Sequence, residues 1–216
     1  MPETSKPLRA DAERNRRLVL DAAAAAFAEH GLEVGVAEIA RRAGVGRGTM
    51  FRRFPTKEHL IAAIVVDRMD QAGARGRELF ADPNPDAALF ELLASMVDAA
   101  QTDRALFEAV GDTFLANADI RVAHAELIGV LDQLLRRAQD AGTVRDDVGA
   151  LDLLMMFKGV CEAARPFSVD VAARQLELVR AALRPVAASE RLSGRPPTLD
   201  DMERALPQVK GKASAQ

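Results

Sequence analysis

The side chains best suited to chemistry in this sequence are cationic, and they cluster in the segment RGTMFRRFPTK, residues 47–57. Arginine can donate a pair of hydrogen bonds to guanine O6 and N7 in the major groove of DNA, and arginine and lysine both neutralise backbone phosphates. Met50 and Phe54 are four residues apart, so on a helix they point inward together. The outward face of that helix then carries Arg47, Thr49, Phe51, Arg52 and Arg53. The spacing therefore predicts a helix whose basic face can enter a major groove.

Most of these outward residues have two interpretations, and their types alone leave both open. Arg47, near the helix start, either reads a base or contacts a phosphate. Gly48 either lets the helix backbone approach the bases or is simply tolerated in a first turn. Thr49 offers a methyl group to thymine or a hydroxyl group to a phosphate. Three further cations are expected to hold phosphates without reading sequence, namely Arg52, Arg53 and Lys57.

A second short helix precedes the basic one and fixes its direction. Apolar residues at positions 36, 39, 40 and 43 recur at i, i+3, i+4 and i+7, which is one face of a helix. Gly44 follows where a helix end needs a left-handed residue, a conformation that glycine adopts at least cost. Gly35 and Gly46 precede the two helices as N-cap residues without a hydroxyl, which leaves backbone N–H groups open to an anion. The pattern is a helix-turn-helix, and Gly35 joins its candidate DNA-binding residues.

Composition favours an all-α protein with one basic end. Of 216 residues, 49% are hydrophobic and none is Trp or Tyr, so a large core is expected and strand formers are few. The net charge of −3 is unevenly divided: residues 1–57 hold 11 Lys/Arg and 7 Asp/Glu, so the acidic surplus lies beyond them. A basic end on an acidic chain indicates that nucleic acid is met at that end only.

Signals for catalysis, metal or membrane are missing from the sequence. Three histidines and the single Cys161 share no metal-ligand spacing, and no phosphate-binding loop or nucleophile motif occurs. We therefore expect no enzyme, no catalytic residue, no metal and no cofactor. One cysteine permits no intrachain disulfide, the first residues lack an apolar signal segment, and no apolar run could span a bilayer. These features predict a cytoplasmic protein without a membrane partner.

The chain in order suggests four regions. Residues 1–13 are expected to form a flexible arm, 14–56 a helix-turn-helix DNA-binding domain, 57–188 a helical ligand-binding and dimerisation domain, and 189–216 a polar tail. Thr198 and Asp201 predict one short helix in the tail, at 199–206. Amphipathic periodicity predicts the remaining helices at about 14–30, 57–80, 86–101, 103–117, 119–141, 147–165 and 168–185.

Two functions are expected of the helical domain, although its residues decide neither. The helices at 147–165 and 168–185 have long apolar faces, which form either a dimer interface or intrachain core. Bulky apolar residues and one histidine on several helices of this domain could line a pocket for a small-molecule effector, but at helical spacing such residues are more often plain core. The pocket candidates are Met96, Phe107, Phe114, His124, Met156, Phe157 and Cys161, with Phe90 and Met155 beside them.

The segment LVLDAAAAAFAEHGLEVGVAEIARRAGVGRGTMFRRFPTKEHLIAAIV, residues 18–65, resembles the DNA-binding domain of TetR-type transcriptional regulators. The shared features are F-A-E-x-G closing the first helix, I-A-x-x-A-G-V across the turn, and G-T-x-(aromatic)-x-x-F-x-x-K-E-x-L entering the fourth helix. The resemblance implies a three-helix DNA-binding head, a larger helical body that dimerises through its last two long helices, and often a small-molecule pocket. A homodimer whose two heads lie roughly 34 Å apart would read a palindromic operator. Together with the implied pocket, this predicts a ligand-responsive homodimeric repressor.

Three positions depart from the family pattern. Phe51 stands where the family commonly has Tyr, so it cannot donate a hydrogen bond to a phosphate. Gly35 and Gly46 stand where Ser or Thr is common, so backbone N–H groups and the neighbouring arginines must anchor the DNA. These losses keep an alternative alive, in which the chain is a helical ligand-binding or interaction protein whose head no longer binds DNA.

Overall fold

The computed structural model describes residues 5–103, 117–167, 169–185, 187, 190–202 and 204. Within these ranges the chain is all-α, as predicted, and forms no strand. Its helices are α1 (Ser5–His30), α2 (Val36–Arg42), α3 (Arg47–Arg53), α4 (Lys57–Leu79), α5 (Pro85–Thr102), α6 (Ala118–Asp140), α7 (Ala150–Ala164) and α8 (Val169–Ala182). Residues 199–202 add a short helical turn. The helix predicted at 103–117 falls almost entirely outside the described residues.

The chain divides into two compact units. The head comprises residues 1–68 and 102–120, and the body comprises residues 69–101 and 121–216. The division falls within α4, between Arg68 and Met69, so the first half of that helix lies with the head. The boundary predicted from the sequence, between residues 56 and 57, placed the whole of α4 in the helical domain.

Helix α1 begins at Ser5, which corrects the expectation of a flexible arm over residues 1–13. The segment after Pro7 reads LRADAERN and is rich in Ala, Leu, Arg and Glu, which are good helix formers. Pro7 is compatible with this start, since a proline in the first turn lacks only an N–H that has no intrahelical partner anyway. The end of α1 is as predicted, with Gly31 in the left-handed region at φ +71°.

The head packs the first four helices around one apolar cluster. Met50 and Phe54 are 1% and 5% exposed, which confirms that the inner side of α3 is core. Phe27 of α1, Ile39 of α2 and Leu60 of α4 are fully buried in the same cluster. Helix α3, although only seven residues long, is therefore anchored through Met50 and Phe54 to the core that α1, α2 and α4 share.

The body has its own core, built from α5 to α8 and the second half of α4. Leucines dominate it, and the two glycines of α4 do not break that helix, which continues to Leu79. Gly76 instead allows a close crossing: a Cβ at this position would lie 2.4 Å from Cγ1 of Val130 on α6 and 3.2 Å from Cδ2 of Leu92 on α5. Gly76 is therefore a packing position.

Helix α7 starts at Ala150, three residues after the predicted start at 147. Gly149 is its N-cap, and the Gly149 N–H donates to Oδ2 of Asp152 at 2.9 Å. Asp147 was expected in the first turn of this helix. It instead accepts hydrogen bonds from Arg145 and from the backbone N–H of Leu192 in the tail, at 2.6 Å each. The hydrogen bonds from Arg145 and Leu192 therefore hold the Asp147 carboxylate outside the first turn of α7, where it would have interacted with the helix dipole.

The tail that follows α8 is bound to the body, and the capping box predicted within it is present. The Thr198 N–H donates to Oδ2 of Asp201 at 2.9 Å, and the Asp201 N–H donates back to Oγ1 of Thr198 at 3.3 Å. Helical geometry follows at residues 199–202 and 204, where the sequence predicted 199–206. Leu199 packs against the body core, so this part of the polar tail is anchored.

Candidate nucleic-acid interface

Helix α3 presents its predicted outer face to solvent. All six candidate residues on this helix are exposed. They include the aromatic Phe51, which lies on the side of the helix away from the core and is 45% exposed. A single exposed aromatic side chain is ordinary on a protein surface, so Phe51 shows only that this face of α3 is open to solvent. The six residues are Arg47, Gly48, Thr49, Phe51, Arg52 and Arg53.

Backbone geometry alone starts both helices of the helix-turn-helix. Gly35 and Gly46 are N-cap residues in extended conformation, and neither helix start has a side-chain cap. A Cβ at Gly35, Gly46 or Gly48 would meet nothing within 4 Å, so the space outside these positions is open. The left-handed Gly44, at φ +67°, makes the turn between the helices. The arrangement leaves the start of α3 accessible to a ligand.

The positive charges of α2 are internally compensated. Arg41 donates to both carboxylate oxygens of Glu38 at 2.8 and 2.7 Å. Arg42 bonds Glu29 at 2.7 Å and Glu38 at 3.1 Å. Hydrogen bonds from these two arginines lower the pKa of Glu38 to about 2. Helix α2 therefore offers little net charge to a polyanion.

Helix α3 differs from α2 in this respect. Among the residues that the structure describes, neither Arg47 nor Arg52 has a carboxylate within 4.0 Å. The helix contains no acidic residue, and the sequence from Gly44 to Lys57 has none either. The uncompensated charge of the helix-turn-helix is thus concentrated on α3, where a phosphate backbone would neutralise it.

Lys57 lies at the start of α4, beside the end of α3. Its Nζ is 6.0 Å from the centroid of the buried Phe27 ring, and the residue is half-buried. The lysine stem thus packs along the head core while its ammonium group remains near the surface. Thr56 caps the same helix start, with the His59 N–H 3.4 Å from its hydroxyl.

Arg16 of α1 forms an ion pair within the head. Its Nη1 lies 3.6 Å from Oδ1 of Asp67, a carboxylate that is buried in the head on α4. Arg68, the next residue of α4, donates to the buried Asp103 at 2.6 Å. The two ion pairs hold the middle of α4 against two different segments of the head. This pairing directs the charge of Arg16 towards the interior of the head.

The candidate pocket residues lie mainly in packed core. Met96 and Phe157 are buried in the body cluster, and Met156 and Cys161 are half-buried against it. His124 is 4% exposed, and its burial together with the nearby Lys158 lowers its pKa to about 4, so it is neutral at neutral pH. Phe107 and Phe114 lie outside the described residues.

A surface groove of about 380 Å³ lies instead between α5 and α8. Of the residues named from the sequence as pocket candidates, only Phe90 lines this groove. The groove exists because Ala87, Ala94 and Ala173 face it with little bulk. Ala87 and Ala94 are one heptad apart, a spacing that could have indicated a shallow place on α5.

No group of three or more His, Cys, Asp or Glu residues suited to a metal occurs in the described part of the chain. None of the helices within the same ranges is long and apolar enough to cross a membrane.

Comparisons with known proteins match both parts of the chain. Residues 19–64 match the family model described as bacterial regulatory proteins of the tetR family, and residues 84–185 match the C-terminal domain of SbtR-like transcriptional regulators. The curated repressor KstR of Rhodococcus jostii is 31% identical over 131 residues, a match that covers 60% of this chain and 61% of that protein.

Two solved structures share the fold over nearly their whole length. A TetR regulatory protein from Mycobacterium vanbaalenii is 38% identical, with a TM-score of 0.64, and the match covers 82% of this chain and 99% of that one. The regulator SCO0520 from Streptomyces coelicolor is 30% identical, with a TM-score of 0.65, covering 80% and 99%. The basic face of α3, the helix-turn-helix that carries it and these matches agree: the chain belongs to the TetR family of DNA-binding transcriptional regulators.

Proposed function

We propose that the protein is a homodimeric repressor that binds a palindromic operator and releases it when a small molecule occupies the body. The observation that carries this proposal is the contrast between α2 and α3. The arginines of α2 are neutralised within the head, whereas Arg47 and Arg52 of α3 have no acidic partner among the described residues. A helix that leaves Arg47 and Arg52 without a carboxylate partner among the described residues is suited to a polyanionic partner.

Two copies of α3 are needed for useful specificity, since one recognition helix contacts few bases. Helices α7 and α8 support dimerisation, because each leaves a large apolar side chain in water. Met155 on α7 is 63% exposed and Leu178 on α8 is 54% exposed, and Phe167 between the helices is 59% exposed. A Cβ at Gly159 of α7 would meet nothing within 4 Å, so a partner helix can approach there. We assign these residues to the interface between two copies.

Helix α4 is the element through which a ligand in the body would alter DNA binding. It contributes residues to both compact units, and its centre is held in the head by the ion pairs Arg16–Asp67 and Arg68–Asp103, whose carboxylates are buried. A ligand that prefers one position of the second half of α4 would therefore shift the orientation of the first half. Coupling of this kind requires that the ligand binds the two states with different affinity.

The proposal is tested by fluorescence anisotropy with the full-length protein. The labelled duplexes are the region upstream of the chain's own gene and an unrelated sequence of equal length. We expect binding to the upstream region that is roughly 10³-fold tighter or more than to the unrelated duplex, and a steep loss of affinity for both as salt is raised. Absence of salt-dependent binding to either duplex would instead favour a helical interaction protein whose head no longer binds DNA.

A further inference from the structure

The first part of the tail returns across the body and contacts the connection between α6 and α7. This segment, residues 190–199, is called the strap below. The backbone N–H of Leu192 donates to Oδ2 of Asp147 at 2.6 Å, and Nη2 of Arg145 donates to the carbonyl oxygen of Glu190 at 3.2 Å. The start of the strap is therefore held by hydrogen bonds to the residues that lead into α7.

The ion pair that receives the strap is nearly buried. The side chains of Arg145 and Asp147 are 10% and 8% exposed, and Nε of the arginine lies 2.6 Å from Oδ1 of the aspartate. An ion pair withdrawn from water requires partners for its remaining hydrogen-bonding groups. The strap supplies such partners through the Leu192 N–H and the Glu190 carbonyl group.

The middle of the strap packs on the start of α7. A Cβ at Gly149, the N-cap residue of α7, would lie 2.8 Å from the Cβ of Pro196. The backbone of Gly149 is extended, at φ −114° and ψ 170°, a conformation that any residue adopts. Serine or threonine is the better N-cap residue, because its hydroxyl group accepts a hydrogen bond from the first turn. The glycine is therefore explained by the proximity of Pro196.

The end of the strap has an apolar anchor. Leu199 is half-buried and packs against the core of the body. Contacts near the start, middle and end thus bind the strap along its whole length. All of these contacts lie within one compact unit, the body.

The strap crosses the open end of the hairpin formed by α7 and α8. The backbone N–H of Arg145 donates to the carbonyl oxygen of Leu183 at 2.9 Å, so the residues that lead into α7 lie beside the end of α8. The other end of the hairpin is closed by the short connection between Ala164 and Val169. Helix ends fray unless they are bound, and local opening is easiest there. The strap holds the end of the hairpin that lacks such a connection.

We propose that the strap is a conformational device that keeps the α7–α8 hairpin in the form that pairs with a second copy of this chain. The inference rests on the proposed function, in which these two helices form the dimer interface. A bound strap orders the open end of the hairpin before association, so less conformational entropy is lost when two copies pair. When the strap is released, the partner must order that end, and the dimer dissociates more readily.

The dissociation constant of the dimer tests the proposal, measured by sedimentation equilibrium of the full-length protein over a dilution series. Gly149→Ala places a methyl group against Pro196 and alters no polar side chain, and the dissociation constant should rise about fivefold or more. Gly129→Ala on α6 is the matched control, because a Cβ there would meet nothing within 4 Å, and it should dimerise like the wild type. Equal constants for the two variants would contradict the proposal.

Two substitutions within the strap keep the test decisive if Gly149→Ala distorts α7. Leu199→Ser removes the apolar anchor without changing any residue of α6, α7 or α8, and it should also raise the dissociation constant. Leu192→Ser is the control, because its side chain is 52% exposed and the strap is bound through its backbone N–H. Unless Leu199→Ser weakens the dimer more than Leu192→Ser does, the proposal fails.

Hydrogen exchange in residues 190–202, followed by mass spectrometry, reports release of the strap separately from association. Exchange should be faster in Gly149→Ala and Leu199→Ser than in the wild type. Faster exchange with an unchanged dissociation constant would overturn the role of the strap and leave the proposed homodimer intact. A wild type that stays monomeric at every concentration would instead overturn the homodimer, and this inference with it.

Discussion

Gly76 of α4 lies so close to Val130 of α6 that a Cβ on the glycine would stand 2.4 Å from the Cγ1 atom of that valine. The helices can therefore cross at this distance only without a side chain at position 76. We predict that Gly76→Ala lowers the free energy of unfolding by about 1–3 kcal/mol, because α4 and α6 must separate to admit the methyl group. Urea denaturation followed by circular dichroism measures this change.

Gly73→Ala supplies the matched control on the same helix. A Cβ at Gly73 would meet only the guanidinium end of Arg77, at 3.5 Å, which is an ordinary contact with a flexible group. This substitution should be neutral or should stabilise the protein by up to about 1 kcal/mol, since alanine is the better helix former. Equal destabilisation by both substitutions would show that the close crossing is not the cause.

The contact of Asp147 with the tail yields a second prediction. Its side chain is almost fully buried, pairs with Arg145, and accepts the Leu192 N–H at 2.6 Å. Asp147→Asn should release the chain around Leu192, so that trypsin cleaves after Arg191 faster than in the wild type. Asp146→Asn is the control, because the neighbouring Asp146–Arg191 pair is largely exposed and contributes little.

The same contact has a defined pH dependence. The Arg145 hydrogen bonds hold the pKa of Asp147 well below its usual range. A carboxyl group whose folded pKa is depressed contributes stability above its unfolded pKa and loses it as pH falls further. Backbone amide protection in residues 190–202, measured by hydrogen exchange, should therefore decline below about pH 4 in the wild type and be weak at every pH in Asp147→Asn.

Arg47 is the test of base recognition. Arg47→Ala should weaken operator binding and relax the preference at one base position by about 1–3 kcal/mol, if its guanidinium bonds a guanine. A panel of operators substituted at each position, measured by anisotropy, identifies that base. A uniform loss across the whole panel would assign Arg47 to a phosphate instead, which is the other interpretation of this residue.

Arg52 is the test of phosphate contact. Arg52→Ala should weaken every duplex alike and reduce the slope of log affinity against log salt by about 1. Arg41→Ala is the matched control in the head, because Glu38 already neutralises that arginine. If the two variants reduce the salt slope equally, the contrast between α2 and α3 does not decide where DNA binds.

Leu178 is the test of the dimer. Placing a charge on the proposed interface by Leu178→Glu should yield a monomer in light scattering and should weaken operator binding, since two heads would no longer act together. Val122→Glu on α6 is the control, because Val122 is 60% exposed but lies outside the proposed interface. A dimer that survives Leu178→Glu and dissociates in Val122→Glu would move the interface to α6.

The outcome at particular residues shows what the sequence could reveal. Met50, Phe54 and Gly44 were predictable, because helical spacing and a left-handed turn are local properties. Asp147 was misjudged, because its role depends on Leu192, which is distant along the chain. The close approach of Gly76 to Val130 is likewise a long-range contact that local patterns do not indicate. The helical start at Ser5 was missed because a polar composition was taken for flexibility, although its residues favour a helix.

The groove of the body was missed for a related reason. Large apolar residues such as Met96 and Phe157 drew attention as pocket candidates, but large residues fill space and these two are buried in core. Open space lies where Ala87, Ala94 and Ala173 face one another on two helices. The pairing of α5 with α8 that creates it is a tertiary property, which one sequence does not show.

His124 makes the stability of the body depend on pH between 4 and 7. Burial and Lys158 lower its pKa to about 4, so the folded state resists protonation that the unfolded state accepts near its ordinary value of 6.5. Stability is then unaffected above that value and falls as pH decreases towards 4, since the unfolded state binds more protons there. We predict that moving from pH 7 to pH 5 costs the wild type about 2 kcal/mol through this residue. Urea denaturation at the two pH values should show a smaller difference in His124→Gln than in the wild type. An equal pH dependence in the wild type and His124→Gln would assign the acid sensitivity to other groups.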